Sequence, residues 1–144
     1  MITVPLFVHL VRTLLLVAVG LSFEVIYTAV CERSQSGNWR LQGYTYLWMI
    51  PIYATVYPAL CWLYPYTSSH HWLARGVFYV GLIWAVEYAS GWALRRLTGE
   101  CPWERNYFPS RWNVHGLIRL DMAPAWLGAS LLYELVFRVL TGRY

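Results

Sequence analysis

The sequence predicts an all-α membrane protein. Four transmembrane helices form two tandem helical hairpins, with an interfacial connector between the third and fourth helices. Three observations predict this. Of 144 residues, 58% are hydrophobic and only 12% are charged, whereas a soluble domain carries about 25% charged residues. A mean hydropathy of +0.40 with 18% aromatic residues suits a chain solvated by lipid. The charges bound four apolar runs, and the chain matches itself at an offset of 73 residues.

Composition also excludes several classes. The net charge is +4 and all 11 basic residues are arginine. They do not cluster into a phosphate- or base-reading patch, so nucleic acid is excluded as a partner. The apolar content excludes disorder. Cys31, Cys61 and Cys101 make no C-x-x-C pair and no metal-ligand spacing, which predicts free thiols, no metal and no cofactor.

Spanning the hydrocarbon takes about 20 apolar residues in a helix. The first helix, 6–31, holds one internal charge, Glu24. Its n-region lacks a strong positive charge and its apolar run outlasts the weak small-residue site at Ala18-Val19-Gly20, so it is read as a span and not as a cleaved leader. The second helix, 44–64, has no formal charge. The third, 74–96, holds Glu87, and the fourth, 120–141, holds Glu134 with Arg138 near its end. Tryptophans and tyrosines gather at the ends of these runs, as rings at the headgroup level do. His70 and His71, between the second and third helices, point different ways and read as solvated loop residues. The connectors after helices one and three carry seven arginines and the opposite side four, which places those connectors in the cytoplasm.

The repeat lays Gly43-x-x-x-Leu47-x-Met49-x-Pro51-x-Tyr53 over Gly116-x-x-x-Leu120-x-Met122-x-Pro124-x-Trp126. Upstream, Glu24 and Glu87 each lie in the preceding helix. Two helices per copy give both copies the same direction, a parallel repeat of the kind found in some transporters. Each proline falls near a helix start, where no intrahelical bond is lost. Gly43 and Gly116 either release the connector from a helical path or allow a close backbone approach.

An ionised side chain at the bilayer centre costs at least about 3 kcal/mol. Glu24 and Glu87 should therefore face a protein interior. Helical phase agrees: His9, Thr13, Gly20, Glu24, Thr28 and Cys31 share one stripe, and Trp84, Glu87, Gly91 and Arg95 share another. Gly20 and Gly91 allow close helix approach beside the acids. The expected polar interior comprises Glu24, Thr28, Glu87, Gly91, Asp121 and Glu134, with Arg95 or Arg138 as counter-charges. Three uses stay open: interhelical bonding in a structural subunit, a binding cavity or pathway, and acid–base chemistry on a lipid. No catalytic residue is assigned.

The connector 97–119 interleaves arginines with Trp103, Tyr107, Phe108 and Trp112. It fits an interfacial segment on anionic headgroups, or a lid. Cys101-Pro102-Trp103 stops any helix entering it.

Glu87-Tyr-Ala-Ser-Gly91-Trp, Leu97-Thr-Gly-Glu-Cys101-Pro102-Trp103, and Asn113-Val-His-Gly116-Leu-Ile-x-Leu120-Asp121 resemble the transmembrane protein 229 family, as do Gly20-Leu-Ser-Phe-Glu24 and Pro51-Ile-Tyr53. The likeness runs from about Leu15 to Arg138. The residues after Cys-Pro-Trp, Glu104 and Arg105, depart from the family's acid and aromatic, and Pro124 is displaced by about one position. The resemblance implies a small multi-pass protein whose bacterial relatives carry an ABC-transporter permease label. It transfers no catalytic residue. The chain has no phosphate-binding loop, so a permease role implies a separate ATPase, and the expected partners are otherwise membrane lipids, other membrane subunits or further copies.

Overall fold

The computed structural model describes residues 5–143. It is mostly helical, and three helices are long and apolar enough to cross a membrane: Leu6–Ser34, Trp72–Thr98 and Leu120–Thr141. This is compatible with an integral membrane protein. The elements run α1 (Leu6–Ser36), α2 (Met49–Ala54), α3 (Val56–Thr67), α4 (Trp72–Thr98), α5 (Glu104–Tyr107), β1 (Asn113–Val114), β2 (Ile118–Arg119), a 3-10 turn (Leu120–Met122) and α6 (Ala123–Thr141).

Helix α1 begins after Pro5 and overruns its expected end at residue 31. Charges outside the hydrocarbon do not stop a helix; Gly37 does. It takes φ +67°, and its N–H closes the last turn on the Arg33 carbonyl. Helix α4 ends the same way at Gly99, φ +90°, on the Arg95 carbonyl. His71 starts α4: its Nδ1 accepts the Leu73 N–H at 3.3 Å. It is a helix cap where the sequence suggested a plain loop residue.

The expected single helix 44–64 is the main correction. The segment becomes helical only at Met49, breaks at Thr55 and runs on to Thr67. Pro51, Pro58 and Pro65 recur every seven residues. None can donate a backbone hydrogen, so the carbonyls of Leu47, Ala54 and Cys61 have no donor four residues on. At the break, the Thr55 hydroxyl donates to the Ile52 carbonyl at 2.7 Å. Pro51 and Pro124 both fall in the first turn of their helices, as expected.

The chain packs as two compact units. Of the described residues, one unit comprises 5–65 and 133–143, and the other 66–132. In the first, α1 lies along α2, and Phe137 from the end of α6 is fully buried against Tyr57 and Tyr64. In the second, α4 carries the connector. Leu127 packs over Gly76, and β1 and β2 pair antiparallel, Asn113 opposite Arg119 and Val114 opposite Ile118. The turn between them uses His115 and Gly116 at φ +55° and +69°, closed by the Leu117 N–H on the Val114 carbonyl. Two successive left-handed residues suit a tight hairpin.

Candidate functional site

In the first unit the site is built around Glu24. Its Oε2 accepts the Thr45 hydroxyl at 2.7 Å and the Tyr53 hydroxyl at 3.4 Å. Among the described residues no cation bonds this carboxylate. Arginines are near in sequence but used elsewhere. Arg12 reaches the Tyr57 hydroxyl, which also meets His9, and Arg33 lies 3.6 Å over the Trp39 ring.

The connector reaches Glu24 because the backbones come together. A Cβ on Gly43 would run into the Val25 carbonyl oxygen, so of the two readings of Gly43 the close approach is the observed one. One residue on, the Tyr44 N–H donates to Thr28 Oγ1 at 2.9 Å. Thr28 thus joins the first strip of connector to α1, one turn beyond Glu24. On the other side, Gly20 sits under Tyr53 and the Tyr133 hydroxyl, with no room for a methyl group. The Tyr53 and Tyr133 rings lie 6.4 Å apart at 36°. The Tyr133 hydroxyl is buried with no hydrogen-bond partner among the described residues.

In the second unit Glu87 is buried, and its Oε1 accepts the Tyr107 hydroxyl at 2.7 Å. Gly91, one turn on, is the floor for the connector. A Cβ there would meet Leu117 at 3.0 Å and Cys101 Sγ and Trp103 at 3.1 Å each. Cys101, Trp103 and Leu117 are themselves buried, and Trp103 Nε1 donates to the Leu117 carbonyl at 3.0 Å. This gives the Cys101-Pro102-Trp103 and Gly116-Leu117 motifs a physical reason: they form one plug against a glycine. The conformation of Gly116 is imposed twice, by its positive φ and by the Phe108 ring beneath it. Desolvation pushes the Cys101 thiol up from its ordinary range, which makes it a poor nucleophile.

The expected counter-charges are engaged differently. Arg95 holds Glu104 Oε2 through Nε at 2.8 Å and Nη2 at 2.7 Å, and gives Nη2 to the His115 carbonyl at 2.8 Å. Desolvation raises the Glu104 carboxyl, but a backbone hydrogen bond from Cys101 and the Arg95 guanidinium outweigh it and hold the group below the usual range. Arg138 Nε donates to the Arg143 carbonyl. Asp121 corrects the expected interior set: it is exposed, and it binds Arg119 and Ser110 beside the hairpin. A carboxylate two residues from an arginine on the same strand end pairs locally before it can be drawn inward. Glu134 is buried as expected.

Four residues at these sites escaped the sequence: Thr45, Tyr53, Tyr107 and Tyr133. Tyr53 carried a signal, since the repeat set it over Trp126. Tyr107 read as an interfacial aromatic, and its hydroxyl was the part that mattered. Thr45 and Tyr133 had no local signal, because their positions depend on which segments pack on α1.

No protein-family model matches this chain, and no solved structure matches it.

Proposed function

We propose that the chain is a multi-pass membrane protein that handles a small ligand or ion through carboxyl groups sheltered within it, as a permease-like component. The observation that carries this reading is Glu24. It lies within a helix of membrane length and, among the described residues, its carboxylate is met only by hydroxyls. A permanent structural charge in hydrocarbon is expected to have a fixed counter-ion. One surrounded by neutral, rotatable donors is suited to exchange.

In this reading 49–67 is the fourth crossing. At the α-helical rise it reaches about 28 Å, against a hydrocarbon core of about 30 Å. The two hairpins are then tandem copies. Two matching contacts support this. Thr28 receives Tyr44, and Gly91 receives Leu117; each pair joins the residue one turn after the acid to the residue one after the repeated glycine. Each acid also meets a hydroxyl of the chain that follows its helix, Thr45 and Tyr107. Kinship with the transmembrane protein 229 family rests on the motifs that build the plug over Gly91. An ATPase partner would dock on 97–119, where Arg105 and Arg111 are exposed.

Infrared difference titration of the purified protein tests the reading. A carboxyl stretch that changes with pH or ligand and disappears in Glu24→Gln is expected. No such band at any pH would leave Glu24 as a structural group and remove the proposal.

A further inference from the structure

The Glu24 site contains two unsettled accounts, and one occupant settles both. The first is charge. Among the described residues no arginine or histidine bonds the carboxylate, and the chain has no lysine. The second is a hydroxyl. Tyr133 is 9% exposed, its oxygen is sealed from solvent, and it has no hydrogen-bond partner among the described residues. That oxygen presses on Gly20, one helical turn before Glu24. A buried polar group without a partner is uncommon enough to ask what it meets.

The donor set names the chemistry. Around Glu24 stand the hydroxyls of Thr45 and Tyr53, and that of Tyr133 lies against Gly20, one helical turn before Glu24. This is one negative charge with three neutral oxygens. All-oxygen sets suit hard cations. A single formal charge is balanced by a single positive one. Among the described residues no group of three or more His, Cys, Asp or Glu exists that would suit a transition metal. Each of the three hydroxyls can turn its hydrogen away from a cation and present a lone pair.

We propose that Glu24, with the hydroxyls of Tyr133, Tyr53 and Thr45, binds an alkali cation, with sodium as the probe ion. This deepens the ligand-handling reading above and rests on it. The ion neutralises the carboxylate within the helix and gives the Tyr133 oxygen its partner.

The test uses the full chain purified in detergent. Its thermal unfolding is compared in sodium, lithium, potassium and choline chloride at one ionic strength and pH 8. Sodium should raise the midpoint over choline by about 3 °C at concentrations well above the dissociation constant. Glu24→Gln should abolish the shift. Tyr133→Phe keeps the ring packing and removes only the oxygen, and it should reduce or abolish the shift as well. Equal midpoints in all four salts would overturn the proposal, as would a sodium shift unchanged in both variants. The infrared titration on the same samples separates the two readings. A Glu24 band that titrates with no salt effect makes the proton the sole occupant, which ends the alkali proposal and leaves ligand handling standing. Neither band nor salt effect ends both.

Discussion

The Tyr107 hydroxyl donates to Glu87 Oε1 across 2.7 Å, tying the connector to the acid of α4. A hydrogen bond to an acid away from water contributes about 1–3 kcal/mol. Tyr107→Phe should therefore lower stability by about 1–2 kcal/mol. In Glu87→Gln the same change should cost less, and a double-mutant cycle in detergent should show coupling of about 1 kcal/mol. Strict additivity would show that the bond contributes nothing.

Gly91 and Gly81 both lie in α4 and should respond oppositely to a methyl group. Gly91→Ala pushes a Cβ into Leu117, Cys101 and Trp103, at 3.0–3.1 Å. That overpacking should cost about 1–3 kcal/mol. Gly81 has open space around it, so Gly81→Ala should be neutral or stabilising by up to about 1 kcal/mol. Thermal unfolding of the two variants in parallel checks both signs.

The Arg95–Glu104 pair predicts acid sensitivity of the connector. Glu104 is held below the ordinary carboxylate value of 4.5. A group depressed in the folded state stabilises it above the unfolded value and loses that contribution as pH falls through the folded one. Limited proteolysis within 97–119 should therefore accelerate below about pH 4.5. Glu104→Gln should be cleaved faster at neutral pH and show a weaker pH dependence in this range.

Cys101 should resist a water-soluble maleimide. It is 1% exposed, and desolvation holds its thiol up. Mass spectrometry of labelled protein should find Cys101 unmodified until the chain is unfolded, while Gly91→Ala, by forcing the plug apart, should speed its modification. Prompt labelling of the native chain would contradict the packing.

Much of the fold was legible because lipid-length helices need little beyond an uninterrupted apolar run. α1 and α4 appear where charge spacing put them, and their ends follow from Gly37 and Gly99. Helical phase alone set Gly20 beside Glu24 and Gly91 beside Glu87. What stayed hidden depended on tertiary packing or on turn chemistry. The hairpin at His115-Gly116 needs a non-glycine residue at positive φ, which composition does not announce. The partners of the acids are hydroxyls: that of Tyr107 belongs to a ring the sequence places at a membrane edge, and those of Thr45 and Tyr53 reach Glu24 only through the packing of the connector on α1. Asp121 was misplaced because a nearby arginine claims it first.

The prolines of 49–67 carry a last consequence. Their spacing of seven puts Ala54 and Cys61 on roughly one side of the segment, each with a carbonyl that lacks a donor four residues on, while the carbonyl of Leu47 is taken by the Ile50 N–H at 3.1 Å. Oil offers such oxygens nothing. A crossing made from this stretch must turn that side toward protein, so its orientation about its own axis is dictated by backbone chemistry before any side chain is considered.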